Sequence, residues 1–323
     1  MAAALAAVAL GAYGAPASFQ EGAPRTARAA VSVGYVLVPV VVTDAKGRTV
    51  AGLKEKDVTL KVDGRPVVLD LFTASQDAPV SFTVLLDGSG SMALAGKMEG
   101  ARAALEALLQ AKHPGDDLSL HLFAEGTVRE VVPFTDDAAR LRRAAGEVRP
   151  FGKTAFYDAL AKMPDRSLLG RNGSRAIILL TDGVDNASAL SEEGLTKLLE
   201  GVDVPVYPIG LRSPGAPITP GPGDTLEHIL NLDVLGRIAR VTGGRLAIVD
   251  DPEKLVDAVQ AIERDLRSQY LLGFAPTGKG PVRYRQFFLE LSGPPKPFRM
   301  RTGYRGTEPP WRENETAKKG NSP

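Results

Sequence analysis

The sequence predicts an α/β protein: a doubly wound, mostly parallel sheet with helices on both faces, joined to a small β-rich accessory domain. Two observations lead to this fold class. Between residues 79 and 268, short apolar runs typical of buried strands alternate with amphipathic helical patterns, as in a parallel sheet covered on both sides. On either side of that region, strand-like segments are separated by turns rich in Gly and Pro.

The central region, residues 79–268, contains each element that such a sheet requires. Its predicted strands are Val80–Leu86, Leu118–Phe123, Ala176–Leu180, Val204–Ile209 and Leu246–Val249, with Thr127–Pro133 as an antiparallel hairpin strand. Its predicted helices are Lys97–Ala111, Asp136–Gly146, Ala155–Met163, Ser191–Glu200, Asn231–Thr242 and Pro252–Ser268. The order of these elements predicts strands that are joined through helices, as in doubly wound proteins.

The accessory domain is predicted from both ends of the chain. Residues 30–76 form an N-terminal β segment in which Asp63-Gly64 marks a hairpin turn, and residues 269–306 form a C-terminal β segment. We expect the two segments to pair with each other. Residues 307–323 are polar and rich in Pro apart from the lone Trp311, which predicts a disordered tail.

Composition excludes several classes of function. The 323 residues contain no Cys, which excludes disulfides, cysteine zinc sites and thiol catalysis, and only three His, none in a zinc-protease arrangement. The formal net charge is +1 without a long basic run, so nucleic acid is not an expected partner. Any metal bound by this chain is therefore expected to have oxygen ligands.

The first residues, MAAALAAVALGAYGAPA, are small and apolar and resemble a secretory signal peptide, although no Lys or Arg precedes Arg25. Residues 1–29 are therefore interpreted as a signal peptide or a disordered leader. The first interpretation predicts export to the periplasm or the cell exterior, and the second leaves a cytoplasmic location open. The apolar stretch is too short for a transmembrane helix, so none is expected in the mature chain.

Three loops carry the polar side chains that suggest chemistry. Asp87-Gly88-Ser89-Gly90-Ser91 leaves the first central strand, Gly152-Lys153-Thr154 precedes a helix, and Thr181-Asp182-Gly183 leaves the strand AIILL. Ligands of doubly wound sheets bind where the carboxyl ends of the strands meet, so these loops are expected to converge. Their carboxylate and hydroxyl oxygens are ligands that suit Mg²⁺.

This pattern resembles a known site. Asp87-x-Ser89-x-Ser91, followed by Thr154 and Asp182, is similar to the metal-ion-dependent adhesion site of von Willebrand factor A domains, over roughly residues 79–268. The resemblance implies that Ser89 and Ser91 ligate the metal directly, that Asp87 and Asp182 ligate it directly or through water, and that Thr154 joins when the site is occupied. It implies Mg²⁺ as the cation, with Mn²⁺ or Ca²⁺ as alternatives. The segments TGGRLAIVDD, LRSQYLLGF and RMRTGYRG further resemble von Willebrand A-related proteins of Acidobacteria.

The resemblance predicts a metal-dependent binding module of the adhesion type, in which the cation coordinates an Asp or Glu carboxylate of a partner protein. Two alternatives stay open: a Mg²⁺-dependent hydrolase, and a structural domain that the metal stabilises. No nucleophile elbow, Walker loop or dinucleotide fingerprint occurs at a suitable strand end, so the chain is not expected to be an enzyme.

Several residues outside the ligand set lie near the same loops. Lys153 stands where related domains often have Gly; it would weaken cation binding, attract an acidic ligand or point into solvent, and a lone Lys favours solvent. Asp158 and Asp185 are candidates for supporting the ligands. His121 is expected to be half-exposed on its strand, and the segment ITPGPGDTLEHIL around His228 is a candidate partner surface.

Overall fold

The structure is a computed structural model and describes residues 35–76, 78–212 and 226–312. The leader at 1–29 and most of the segment ITPGPGDTLEHIL lie outside the described residues. The strands are β1 (Val36–Val42), β2 (Val58–Val62), β3 (Arg65–Pro66), β4 (Leu71–Gln76), β5 (Val80–Asp87), β6 (Asp117–Ala124), β7 (Thr127–Thr135), β8 (Ser174–Thr181), β9 (Val206–Leu211), β10 (Ala247–Val249), β11 (Ser268–Phe274), β12 (Arg283–Leu291), β13 (Phe298–Arg299) and β14 (Gly303–Gly306). The helices are α1 (Lys97–Ala111), α2 (Ala138–Glu147), α3 (Phe156–Leu160), α4 (Met163–Ser167), α5 (Glu192–Leu199), α6 (Leu226–Thr242) and α7 (Pro252–Arg267).

A six-stranded sheet forms the centre of the fold, with the order β10-β9-β8-β5-β6-β7. All neighbouring strands are parallel except β7, which runs antiparallel to β6. Helices α1, α2 and α7 pack on one face, and α3 to α6 pack on the other. The predicted α/β fold class is therefore confirmed, and the burial of β5 and of most of β8 follows from this double cover.

Two four-stranded sheets make up the accessory part, with the orders β13-β1-β11-β4 and β14-β12-β2-β3. Strand β1 pairs antiparallel with β11, and β2 pairs antiparallel with β12, so the two ends of the chain share both sheets. Alternate apolar side chains of β1, β2, β11 and β12 meet in one core that includes Val38, Leu60, Leu272 and Phe287. The two sheets therefore pack against each other through this shared core.

The junction between the central and accessory parts is short, since β11 begins at the residue after the end of α7. Arg267, the last residue of α7, is nearly buried and forms ion pairs with Asp116 at 2.6 Å and Glu263 at 2.8 Å. It also donates a hydrogen bond to the carbonyl oxygen of Ala78 at 3.0 Å. This arginine therefore binds the start of the central sheet to the end of its last helix.

Three predictions about local structure were wrong. The predicted helix Ala155–Met163 is two short helices, α3 and α4, because Pro164 at the start of α4 has no N–H to continue the first helix. The part of the predicted disordered tail that the structure describes, residues 307–312, is ordered: Trp311 forms a β-bridge with Val67, and the Arg65 guanidinium lies 4.2 Å from the centre of its ring. The remaining tail lies outside the described residues.

The third wrong prediction is the half-exposed position of His121. It is only 1% exposed, because β6 lies between β5 and β7 with helices on both faces of the sheet. Burial lowers the pKa of its imidazole, and nearby Arg166 acts in the same direction against the negative charge of Glu130.

Within the described ranges, no helix combines the length and the apolar character that a membrane span needs.

Candidate metal centre

The first loop of the candidate site is a compact cluster of oxygen atoms. Asp87 ends β5 and is fully buried, and its Oδ1 accepts a hydrogen bond from the backbone N–H of Ser89 at 2.9 Å. Ser89 is also fully buried, and its Oγ lies 3.1 Å from the Oγ of Ser91. The structure therefore places the first three predicted ligands side by side, with their oxygen atoms already grouped.

The second loop is hydrogen-bonded directly to the first. The N–H of Gly90 donates to the carbonyl oxygen of Gly152 at 2.9 Å, and the N–H of Phe151 donates to that of Gly88 at 2.9 Å. These two bonds bring the loop of Thr154 against the loop of Asp87. This contact between the two loops holds Thr154, which is 2% exposed, next to the loop of Asp87.

Gly152 is required in this contact. Its φ is +78°, and a Cβ at this position would lie 2.0 Å from Oε1 of Glu125. The same Glu125 oxygen accepts the N–H of Lys153 at 3.1 Å, while the Lys153 side chain is exposed. Of the three roles considered for Lys153, exposure supports the one in which it points into solvent.

The third loop joins the first through Thr181, the last residue of β8. Its Oγ1 donates a 2.6 Å hydrogen bond to Oδ2 of Asp87, so both carboxylate oxygens of Asp87 accept hydrogen bonds. The next residue, Asp182, is 7% exposed, and its Oδ2 accepts a hydrogen bond from Nζ of Lys97 at 2.8 Å. The roles of Thr181 and Lys97 in this site were not predicted from the sequence. The available signal for Lys97 was its place in the first turn of a helix, where the helix dipole disfavours a cation.

The surroundings of Asp87 raise the pKa of its carboxyl group. Burial raises the pKa of Asp87 to about 6, and the negative charge of Asp182 acts in the same direction. Hydrogen bonds from Thr181 and Ser89 oppose this rise. A positive charge between the carboxylates would therefore stabilise the ionised form of Asp87.

Asp158 and Asp185 hold the loops in place. Asp185 accepts hydrogen bonds from the N–H of Tyr157 at 3.0 Å and from the hydroxyl of Ser188 at 2.7 Å. Asp158 accepts the N–H of Leu190 at 2.9 Å. Both carboxylates thus fasten the segment after Asp182 to helix α3, which is a supporting role.

Asn186 makes the equivalent connection for the second loop. Its Oδ1 accepts the N–H of Thr154 at 2.9 Å, and its own N–H donates to the carbonyl oxygen of Thr154 at 2.9 Å. This reciprocal pair sets the backbone of Thr154 with respect to the loop of Asp182. No sequence signal beyond a polar residue after a strand would have indicated this role.

Across residues 35–76, 78–212 and 226–312, no three His, Asp or Glu side chains gather into a metal-binding cluster. The candidate site has two carboxylates, so its remaining oxygen donors are the hydroxyls of Ser89, Ser91 and Thr154. This donor set has the hard character that Mg²⁺, Mn²⁺ and Ca²⁺ prefer. The residues therefore fit such a cation in chemistry, although Oδ2 of Asp182 already accepts a hydrogen bond from Lys97.

Comparison with known proteins identifies the central region. The family model of the von Willebrand factor type A domain matches residues 82–184, a range that includes all five candidate ligands. A search of curated proteins finds no match to the chain.

Several solved structures are similar to the chain. An aerotolerance-related membrane protein from Bacteroides fragilis is 23% identical, with 58% of this chain and 98% of that chain covered and a TM-score of 0.44. A von Willebrand factor type A protein from Catenulispora acidiphila is 13% identical, with 85% and 73% covered and a TM-score of 0.48. The manganese-loaded TRAP protein of Plasmodium vivax is 17% identical, with 69% and 82% covered and a TM-score of 0.43. Residues 82–184 therefore match a von Willebrand factor type A domain, and the six-stranded central sheet that contains them has an α/β fold.

Proposed function

We propose that this chain is a metal-dependent protein-binding module. Asp87, Ser89, Ser91, Thr154 and Asp182 would hold one divalent cation, Mg²⁺ or alternatively Mn²⁺ or Ca²⁺. When bound, the cation supplies an electrophilic position that accepts an Asp or Glu carboxylate of a partner protein. The observation that supports the proposal is that hydrogen bonds join the three loops that carry these oxygen donors at the carboxyl end of the sheet.

The surroundings of the loops favour a protein as the partner. Leu94, three residues after Ser91, is 63% exposed, and Phe151, next to the Gly88 carbonyl, is 61% exposed. Large apolar side chains around a polar centre are typical of surfaces that a second protein covers. The exposed ammonium of Lys153 adds a positive charge, which favours an acidic partner surface.

Contacts within the site favour binding over catalysis. Both carboxylates are engaged as acceptors, Asp87 with Thr181 and Asp182 with Lys97. A hydrolase would need a general base that is positioned to take a proton from water or substrate. We therefore propose a non-enzymatic module and, from the apolar leader, an exported one that acts in the periplasm or outside the cell.

Thermal unfolding with and without metal tests the proposal. The melting temperature should be higher in excess Mg²⁺, Mn²⁺ or Ca²⁺ than in EDTA, because a ligand that binds only the native state stabilises it. The variant Ser89→Ala should lose this difference. Ser292→Ala, which changes an exposed Ser in a turn after β12, should keep it. Equal melting temperatures of the wild type in EDTA and in all three metals would contradict the proposal.

Partner capture separates the binding module from a structural metal site. Proteins retained by the immobilised wild type should elute with EDTA, and Ser89→Ala should retain none of them. If Ser89→Ala loses the metal-dependent stabilisation but captures the same proteins, the metal has a structural role and the binding proposal fails.

A further inference from the structure

Lys97 places a protein cation inside the candidate metal centre. Its Nζ donates a hydrogen bond to Oδ2 of Asp182 at 2.8 Å. The side chain of Lys97 is only 11% exposed, and that of Asp182 is 2% exposed. This pair is shielded from water, so its attraction is stronger than that of an ordinary surface ion pair.

Lys97 lies at a position in its helix that is unfavourable for a cation. Lys97 is the first residue of the 15-residue helix α1, and Gly96 before it provides no side-chain cap. The amino end of a helix carries a partial positive charge, which disfavours a cation there. The buried carboxylate of Asp182 therefore offsets an unfavourable location.

A cavity beside Lys97 offers its ammonium a second position. Lys97, Gly96, Gly100 and Asp250 are among the residues that line this space of about 290 Å³, which lies between α1 and the ends of β9 and β10. A cavity of this size has room for several water molecules. Its lining carries carboxylates as well as the guanidinium of Arg212, and Asp250 already pairs with Lys254 at 2.6 Å, so water is the main new partner for the ammonium. An ammonium that leaves Asp182 can therefore be hydrated next to its present position.

A divalent cation that binds the carboxylate of Asp182 would lie close to the ammonium of Lys97, which already donates to Oδ2 of that carboxylate. Two positive charges within a few ångströms in a shielded site also repel each other strongly. We propose that Lys97 is a tethered competitor for the divalent cation: it occupies Asp182 in the metal-free protein, moves into the neighbouring cavity when metal binds, and so lowers the metal affinity. This inference rests on the proposed metal site and adds a device that sets its affinity.

The test measures metal affinity and metal-free stability in the full chain. Mn²⁺ and Mg²⁺ are titrated by calorimetry into the wild type, Lys97→Met and Lys153→Met. Lys153→Met is the matched control, since it removes the same charge from an exposed side chain on the adjacent loop. Lys97→Met should bind both metals at least about tenfold more tightly than the wild type, whereas Lys153→Met should change the affinity by less than about threefold, because solvent screens its charge.

Melting in EDTA gives the second measurement. Without metal, Lys97→Met should melt at a lower temperature than the wild type, because Asp182 loses the positive charge next to it. Saturating Mg²⁺ should remove this deficit. If Lys97→Met does not fold, Lys97→Gln replaces it, since its amide can still donate to Asp182 while it lacks the charge.

Each result decides between the inference and the proposed function. Equal affinities of the wild type and Lys97→Met, or a loss of binding in Lys97→Met, would overturn the inference and leave the metal site standing. An equal gain in Lys153→Met would also overturn it, since the effect would then be general to nearby charge. If neither the wild type nor any Lys97 variant binds metal, both the inference and the proposed function fail.

Discussion

Replacing Arg267 tests how the end of helix α7 is held against the start of the central sheet. Its guanidinium contacts Asp116, Glu263 and the carbonyl oxygen of Ala78. Asp116 is fully buried and accepts further hydrogen bonds from the N–H groups of Val80 and His113, both at 2.7 Å. These amides fix the Asp116 carboxylate beside Arg267.

The variant Arg267→Met keeps much of the side-chain volume and removes the charge. It leaves two carboxylates in a poorly hydrated place without their cation, and breaking such a buried pair costs about 3–5 kcal/mol. At about 2 °C per kcal/mol for a protein of this size, the melting temperature should fall by roughly 6–10 °C. Circular dichroism at neutral pH, in the presence of EDTA, measures this change without a contribution from metal.

Arg142→Met is the control. Arg142 pairs with Glu106 at 2.6 Å, but the two side chains are 48% and 37% exposed, so water replaces the lost partner and the melting temperature should change little. The reasoning is refuted if Arg267→Met and Arg142→Met shift the melting temperature equally. That result would mean that the Arg267 contacts do not stabilise the packing of helix α7 on the central sheet.

Two further predictions concern acid sensitivity and the loop contact. Burial holds the pKa of His121 below its usual 6.5, so the unfolded chain takes up the proton first and the stability of the protein should decrease as the pH falls through about 6.5. The variant His121→Gln should show a smaller decrease. An NMR titration that places the pKa of His121 at or above 6.5 would refute the argument. Gly152→Ala should lower the melting temperature and reduce the shift with Mg²⁺, because the Glu125 side chain, which accepts the N–H of Lys153, must move to make room for the new Cβ. Gly47 also has a positive φ, +76°, but open space surrounds it. Gly47→Ala should therefore lower the free energy of unfolding only by the backbone strain of about 1–2 kcal/mol and keep the Mg²⁺ shift. Equal behaviour of the two variants would contradict this account.

The fold class was predictable because it depends on local patterns. Each central strand is an apolar run, each helix has an apolar face, and the two alternate along the chain, which leaves few arrangements besides a doubly wound sheet. The break at Pro164 was also readable in principle, since proline interrupts a helix wherever it follows the first turn.

Contacts between distant residues were not predictable in the same way. The ordered position of Trp311 depends on Val67 and Arg65 at the other end of the chain, and a polar, Pro-rich composition does not reveal such a contact. His121 alternates with Leu as a surface residue would, and its burial follows from the place of β6 inside the sheet. Local pattern thus misjudged both residues.

The candidate site also combines contacts that are local in sequence with contacts between distant residues. Asp87, Ser89 and Ser91 are close in sequence, so their grouping follows from one loop. The pairing of Lys97 with Asp182 joins residues 85 positions apart and depends on the start of α1 lying beside the end of β8. The ligand set itself stays a prediction until metal binding is measured.

The accessory sheets impose an order on the folding of the chain. The hydroxyl of Tyr270 in β11 accepts a hydrogen bond from the N–H of Leu53, 217 residues earlier, and β1 has its partner in the same late strand. At a synthesis rate of about 5–20 residues per second, the early strands wait roughly 10 to 40 seconds for these partners to leave the ribosome. During that time β1 exposes an unpaired, Val-rich edge of the kind that promotes aggregation. Production of this protein should therefore depend on how that edge is protected during synthesis.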